Sequence, residues 1–183
     1  MDTDLDKYLF TTSRLGFRTW TQNDLKQMAR LNKDPEVMRH FPYLPSEKET
    51  AGFIERMNSM FLKYGYCYFP IDHLETNNFI GFIGLSLQEF ETDFTPCIDI
   101  GWRIKKDFWG KGLATEGALQ CLSYAQTQLG LDQIFAMAPK TNSASIQVMD
   151  KIGMRFIKEF EHPKLQSHPN LRACVLYRID LSN

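Results

Sequence analysis

The chain has 183 residues, which suits one compact domain with a hydrophobic core. Its 21 basic and 22 acidic side chains leave a formal net charge of −1, so no overall field favours binding to nucleic acid or to an anionic membrane. The opening MDTDLDKYLF lacks the pattern of a signal peptide, and no later stretch is apolar enough for a membrane span, so we expect a cytoplasmic protein. The four cysteines form no C-x-x-C pair, and we expect reduced core thiols and no metal site.

The first third of the chain predicts one strand and two helices. Residues 14–20 alternate apolar and polar positions, as a half-buried strand does. Thr21 and Asp24 resemble a capping box with Asp in place of Glu or Gln, which predicts a helix from this point. Ser46 and Glu49 repeat the arrangement before a run of apolar residues at helical spacing, so a second helix is predicted there.

The remaining chain predicts a mixed α/β domain. A hairpin joined by HLETNN, a fourth strand and a helix from Thr115 to a C-terminal Gly130 follow in order. The later segments read as a strand, a short helix closed by Gly153 and two terminal strands. The six strand segments after the first are YCYFPID, FIGFIGLSLQEF, CIDIGWRI, QIFAMAP, MRFIKEF and RACVLYRID. About seven strands and four helices result, with no linker, so residues 1–183 are expected to form a single domain.

The segment KKDFWGKGLATEG, residues 105–117, joins the fourth predicted strand to a helix. Gly110 and Gly112 allow backbone amides to converge on an anion at a helix N-terminus. Nearby positive charge comes from Arg103, Lys105, Lys106 and Lys111. A Walker loop is excluded because Gly112 follows Lys111, and a dinucleotide loop is disfavoured because no glycine follows Gly112 at the required spacing. Spacing alone leaves an anion site and an ordinary tight turn open.

Residues 109–114, WGKGLA, resemble the acetyl-coenzyme A loop of the GNAT N-acetyltransferases, commonly written Q/R-x-x-G-x-G/A. Trp109 departs from the usual Gln or Arg, and strings such as FWGKGLATEG are typical of a branch, that of the ribosomal-protein alanine N-acetyltransferases (RimJ/RimL type). The similarity extends over most of the chain, through SRLGFRTWTQNDL, NKDPEVMRHFP, FIGFIGL, IDIGWRI, TNSASIQVMDKIGMRF and VLYRI.

This resemblance implies a GNAT-like fold, with a central, mostly antiparallel, twisted sheet and acetyl-CoA held as cosubstrate in the splay between the fourth and fifth strands. It implies that the fourth strand offers backbone groups to the pantetheine arm, that the loop amides hold the pyrophosphate, and that the later helix contacts the pantetheine and the thioester sulfur. The implied cofactor-binding residues are Trp102, Arg103, Ile104, Trp109, Gly110, Lys111, Gly112, Leu113, Ala114, Thr115, Asn142 and Ser145. Without the resemblance, Asn142 reads as a helix N-cap and Ser145 as a solvated hydroxyl.

The sequence identifies the catalytic groups less clearly than the cofactor loop. Many GNAT enzymes carry a tyrosine acid where this chain has Met149, so Ser145 becomes the candidate donor to the leaving sulfur. Asp99 is the candidate base, and an outward-facing strand carboxylate is its alternative reading. Glu89 and Glu91 are further acidic groups that could reach a cleft.

The acceptor site is assigned by the resemblance to RHFPYLP, where Phe41 and Tyr43 could line a pocket or simply cover the core. His162 and His168 stand in two His-Pro pairs and read as turn residues. The function implied is acetyl transfer to a primary amine, of a protein N-terminus or a small molecule, by a monomer or homodimer. The alternative is a non-catalytic coenzyme A-binding module, which the missing tyrosine keeps open.

Overall fold

The computed structural model describes residues 7–181, and in that range the chain forms eight strands and five α-helices. In chain order these are β1 (Phe10–Thr11), β2 (Leu15–Phe17), α1 (Asp24–Lys33), α2 (Glu47–Tyr64), β3 (Tyr68–His73), β4 (Asn78–Gln88), β5 (Cys97–Ile104), α3 (Leu113–Thr127), β6 (Gln133–Pro139), α4 (Ser143–Lys151), β7 (Arg155–Glu161), α5 (Pro169–Arg172) and β8 (Ala173–Asp180). The predicted mixed α/β class is confirmed.

All eight strands belong to one sheet in the order β1-β2-β3-β4-β5-β6-β8-β7. Every neighbouring pair is antiparallel except β5 and β6, which run parallel. Asp99 and Phe135 form the single registered pair between those two strands, whereas β4 and β5 pair along the full length of β5. The sheet therefore splits beyond Asp99, where the sequence predicted a splay between its fourth and fifth strands.

Helices cover both faces of the sheet. A Cβ on Gly117 of α3 would lie 2.4 Å from the Ile83 side chain, so the glycine lets α3 pack directly on β4. The neighbouring residue Phe82 points to the opposite face, where its ring lies 5.5 Å from Phe53 of α2. One continuous core of buried side chains runs from Leu15 to Tyr177.

Most predicted elements agree with the structure, whereas three boundaries are corrected and two short elements are added. The strand predicted over residues 14–20 contains only Leu15–Phe17, and α3 begins at Leu113, two residues before the predicted Thr115. The helix predicted after Thr21 begins at Asp24, because the Asp24 carboxylate accepts from the Thr21 amide and hydroxyl while no side chain caps the first turn. β1 and α5 were not predicted, since two- and four-residue elements carry no measurable periodicity.

A buried arginine holds α1 against the sheet. The Arg18 guanidinium donates to Asp24 at 2.8 Å and to Asp72 of β3 at 2.9 Å, and both carboxylates are almost fully buried. Lys7 also pairs with Asp72 at 3.6 Å, so each carboxylate of this cluster faces a cation within the fold.

No helix within residues 7–181 is long and apolar enough to cross a membrane. All four cysteines are buried and free, as the sequence predicted.

The capping box of α2 provides a stability test. The Ser46 hydroxyl accepts from the Glu49 amide at 3.2 Å, and the Glu49 carboxylate accepts from the Ser46 amide at 2.8 Å. We expect Ser46→Ala to lower the free energy of unfolding by about 1 kcal/mol in urea denaturation, since an orphan amide loses its acceptor. The matched control is Ser59→Ala on an exposed turn of the same helix, and an equal loss in both variants would contradict this role of the cap.

Candidate active site

A cleft of about 840 Å³ opens where β6 leaves β5. The lining comes from the end of β5, the loop before α3, the first turns of α3 and α4, and the segment between α1 and α2. Every cofactor-binding residue implied by the resemblance lines this cleft except Lys111. The splay thus brings together residues separated by 100 positions in the chain.

The loop before α3 presents unpaired backbone amides. Gly110 and Gly112 both have positive φ, 70° and 76°, and Gly112 is the N-cap of α3. The first helical amide with a backbone acceptor is that of Glu116, which donates to the Gly112 carbonyl at 3.0 Å. Across residues 7–181, the six amides from Gly110 to Thr115 donate to no protein acceptor. These donors, at the positive end of a helix, can hold an anion such as a pyrophosphate.

Two of the predicted loop groups already take part in hydrogen bonds within the protein. The Trp109 amide already donates to the Lys106 carbonyl at 3.0 Å, so the set of free amides begins at Gly110. The Trp109 indole donates to the Ile104 carbonyl at 2.8 Å, so that carbonyl, expected to face the pantetheine, already has a donor.

The positive charge predicted around the loop is mostly directed elsewhere. Lys105 donates to the Phe79 carbonyl at 2.6 Å, and Lys106 pairs with Glu36 at 2.5 Å. Lys111 is different, because its ammonium lies over the Phe108 ring and forms no ion pair with residues 7–181. Of the three lysines, only Lys111 is therefore available beside the backbone amides as an anion donor in the loop.

A polar anchor fixes the loop from the N-terminal side of the chain. Arg14 donates to the Lys111 carbonyl at 2.9 Å and pairs with Glu116 at 2.5 Å. The other Glu116 oxygen accepts from Thr12 at 2.5 Å and from Ser13 at 3.1 Å. These bonds hold the pKa of Glu116 below its usual value despite partial burial, so the carboxylate stays ionised.

The first turn of α4 contributes Asn142 and Ser145 to the cleft. The Asn142 carbonyl oxygen accepts from the Ser145 amide at 3.2 Å, so Asn142 is the N-cap that the sequence allowed, and its amide nitrogen remains available. Ser145 is half-buried and lines the cleft, and Met149 lies buried one turn further along. The Ser145 hydroxyl has no hydrogen-bond partner among residues 7–181, so it can face either solvent or a ligand in the cleft.

Asp99 lies at the point where the strands part, and its side chain is only 8% exposed. Its Oδ1 accepts from the Tyr68 hydroxyl at 2.7 Å and from the Gln88 amide at 3.0 Å. Burial raises the pKa of Asp99 to about 6, although both donors favour the ionised form. The outward-facing reading of Asp99 is wrong. Oδ2 remains for a further donor, so the group can accept a proton near neutral pH.

Tyr68 was not identified from the sequence. Its ring lies over Gly101 of β5, where a Cβ would approach it to 3.0 Å, and it stacks on Phe82 at 5.2 Å. Burial and the neighbouring Asp99 raise the pKa of Tyr68 well above its usual value, so the phenol remains a donor. The one signal of this contact in the sequence is the glycine at the facing strand position. That signal can be used only when the register between the strands is known.

The remaining candidates divide between the cleft and the surface. Phe41 and Tyr43 line the cleft and are 39% and 58% exposed, so the core-covering reading is wrong. Glu89 and Glu91 are exposed and lie outside the cleft lining.

His162 and His168 begin two short helical turns, as predicted, and His162 also borders the cleft. No group of three potential metal ligands occurs within residues 7–181.

The electrostatics of Asp99 generate a stability prediction. Its pKa is about 6 in the fold and near 3.8 in the unfolded chain, so the folded state binds more protons between these values and wild-type stability falls as pH rises through them. We expect Asp99→Asn to stabilise the protein by up to roughly 3 kcal/mol more at pH 8 than at pH 4 in urea unfolding. Asp107→Asn, at an exposed site, is the control, and a pH-independent difference for Asp99→Asn would contradict the raised pKa.

Comparison with known proteins identifies the family. The family described as Acetyltransferase (GNAT) domain matches residues 14–155. YkkB of Bacillus subtilis (strain 168) is 28% identical over 153 residues, covering 83% of this chain and 88% of YkkB. The crystal structure of a GNAT-family acetyltransferase from Bacillus anthracis superimposes with a TM-score of 0.77 at 25% identity, covering 94% of this chain and 98% of that one.

Two solved relatives of low identity share the fold and were determined with coenzyme A. RimL, a ribosomal L7/L12 alpha-N-protein acetyltransferase, has a TM-score of 0.75 at 15% identity, covering 94% of this chain and 97% of RimL. Spermidine N-acetyltransferase of Vibrio cholerae, also bound to spermine, has a TM-score of 0.73 at 18% identity, covering 93% and 97%. Binding of coenzyme A or acetyl-CoA is general to this fold, whereas the two acceptors differ. With a family match over most of its length, the chain belongs to the GNAT acetyltransferases and is an acyltransferase.

Proposed function

We propose that this acyltransferase transfers the acetyl group of acetyl-CoA to a primary amine, of a protein N-terminus or a small molecule, by direct attack on the thioester. The observation that carries the proposal is a single cleft with two chemically distinct ends. One end has six unpaired amides at a helix N-terminus, and the other has a buried carboxylate whose pKa is raised to about 6. An anionic cosubstrate and a protonated amine need those two environments.

The residues of the cleft fit acetyl-CoA, which would supply an activated acetyl group as a thioester. The amides from Gly110 to Thr115 would hold the pyrophosphate, with Lys111 as the nearby cation. Trp102 and Arg103 would offer backbone groups of β5 to the pantetheine, because β6 does not pair with that edge of the strand. The free amide nitrogen of Asn142 would donate to the same arm.

Asp99 would remove the proton that the acceptor amine carries at neutral pH. Neutralising a lysine-type amine at pH 7 costs about 4.6 kcal/mol, whereas an α-amine costs about 1.4 kcal/mol. A carboxylate with a pKa of about 6 is close enough to neutrality to accept that proton at Oδ2. Tyr68 and Gln88 hold the carboxylate in one orientation through Oδ1.

Ser145 would donate a hydrogen bond to the departing sulfur. Its hydroxyl belongs to the first turn of α4 and borders the cleft, whereas Met149 offers no proton at the position where the resemblance expects a tyrosine. A thiolate has a lower proton affinity than an amine, so stabilisation by a hydroxyl and water can suffice for this step.

Three broader assignments belong to the same proposal. Residues 1–183 act as a single domain, supported by one sheet and one core. The compartment is the cytoplasm, supported by four free, buried thiols. The RimJ/RimL-type branch is supported by the FWGKGLATEG segment, and a monomer or homodimer remains the predicted assembly.

The decisive experiment is a thiol-release assay against peptides, amino acids and polyamines. With an α-amine acceptor, we expect kcat/KM to rise with pH through about 6, where Asp99 ionises and becomes able to take the proton of the ammonium. Asp99→Asn should lose this rise and increase only through the pKa of the amine, because the variant needs an acceptor that is already neutral. Binding of acetyl-CoA without turnover of any amine would favour the non-catalytic alternative.

Gly112 tests the cofactor loop. We expect Gly112→Val to weaken binding of coenzyme A more than tenfold in calorimetry, since a β-branched residue resists the positive φ that directs the amides. The matched control is Gly130→Val, at an exposed positive-φ glycine beyond the end of α3. Both variants carry similar backbone strain, so equal affinity for coenzyme A in the two would refute this placement of the pyrophosphate.

A further inference from the structure

A second, partly buried arginine has no counter-charge in the described chain. Arg103 leaves β5 on the same face as Asp99 and donates from one terminal nitrogen to the Asn32 carbonyl oxygen at 2.6 Å. Its Nε is buried and has no hydrogen-bond partner. Within residues 7–181 it forms no ion pair, in contrast to Arg18, which is held between two carboxylates. A buried charge of this kind normally has a partner.

The guanidinium is held by neutral groups only. The Asn32 amide donates to the Thr50 hydroxyl at 3.0 Å, and Thr50 donates to the Ser46 carbonyl at 2.9 Å, so the carbonyl of Asn32 is fixed toward Arg103. The Phe41 ring lies 4.0 Å from the guanidinium carbon and Phe82 lies 5.3 Å away. Burial lowers the pKa of Arg103 to about 10, so the group remains charged at neutral pH. These contacts orient the cation without neutralising it.

Arg103 also borders a second cavity. This space, of about 610 Å³, meets the main cleft at Tyr43, Phe53 and Arg103. Lys48 and Arg56 add two more cations to its lining, and neither pairs with an acid among residues 7–181. Its one carboxylate, Glu49, is already bound to Ser46 in the capping box of α2. The lining therefore carries three cationic side chains and one carboxylate, a formal excess of positive charge.

The distance between the two charged groups restricts the ligand. Asp99 and Arg103 are four residues apart on one strand, which separates their Cα atoms by about 13 Å. The Tyr68 and Phe82 rings lie between them and form an aromatic surface. A molecule that reaches both groups needs an amine at one end, an apolar middle and an anionic group at the other.

We propose that the acceptor is a primary amine that carries a carboxylate or similar anionic oxygen group several bonds from the nitrogen, and that Arg103 binds this anion. The proposal rests on the acetyltransferase function above and names its substrate class. Polyamines are disfavoured, because a second ammonium would lie beside Arg103.

The test measures binding to protein saturated with coenzyme A, so that the cosubstrate's own phosphates cannot occupy the site. Three product analogues of equal chain length serve as ligands: 6-acetamidohexanoate, N-hexylacetamide and N-acetyl-1,6-diaminohexane. We expect the carboxylate to bind at least tenfold more tightly than the neutral ligand, and the cationic ligand to bind most weakly. Equal affinities, the reverse order or no detectable binding in wild-type protein would overturn the proposal.

Variants then assign the preference to the arginine. Arg103→Gln should abolish the preference for the carboxylate, and Arg155→Gln, an exposed arginine on β7, should retain it. A preference that survives in a folded Arg103→Gln protein would also overturn the proposal. If that variant does not fold by circular dichroism, the three-ligand order in wild-type protein decides.

The binding order does not depend on turnover. A carboxylate preference without thiol release would keep the anion site and refute the proposed transferase reaction. Thiol release without a carboxylate preference would keep the transferase reaction and refute the anion site.

Discussion

The parting of β5 and β6 after their single registered pair is the constraint on which the site depends. Antiparallel pairing holds β5 along its other edge, so the strand keeps its position while β6 diverges. Backbone groups on the free edge, the N-terminus of α3 and the first turn of α4 then face the same space. Asp99 lies at the apex of the split, where a carboxylate can be buried and still reach the cleft. A fully paired sheet with the same side chains would bring none of these groups together.

The fold treats its charged groups in two ways. Arg18 pairs with both Asp24 and Asp72, Lys7 also pairs with Asp72, and these ion pairs connect α1 to the sheet. Asp99 and Arg103, by contrast, are held by neutral groups. Tyr68 and Gln88 donate to the Asp99 carboxylate, and the Asn32 carbonyl oxygen accepts from Arg103. Uncompensated buried charge reduces stability, and such groups are commonly found where a protein binds or transforms a charged ligand. The difference distinguishes the structural ions of α1 from Asp99 and Arg103, the two candidates for binding or catalysis.

The sequence was sufficient for most of the fold, because the signals were local. Aromatic and branched content predicted β5 and a short apolar run predicted β6, both with their full bounds, and the Ser46 cap predicted α2. The cofactor loop and the splay were predicted from the family resemblance, because a short motif identified a fold whose long-range geometry is shared by its members. Asp99 was ambiguous, because a single strand does not reveal which of its faces a helix will cover.

Other features could not be predicted from the sequence, because they depend on the register in which neighbouring strands pair. Tyr68 reaches Asp99 only because β3, β4 and β5 align a tyrosine with two glycines. Arg103 was assigned by its backbone, and its side chain acquired a role from Asn32, 71 positions away. The insertion of β8 between β6 and β7 is likewise invisible to periodicity, since either order satisfies the same alternation.

Because β8 lies between β6 and β7, the folded domain extends beyond the part of the chain that matches the family. The family match stops at residue 155, before β7 is complete, yet β8 is paired with strands on both of its edges. A fragment cut at the family boundaries would expose the backbone of β6 on the edge opposite the cleft and would also lose Thr12 and Ser13 from the anchor of the loop. The segment that carries the recognisable motifs is thus shorter than the segment that must fold to give them their shape.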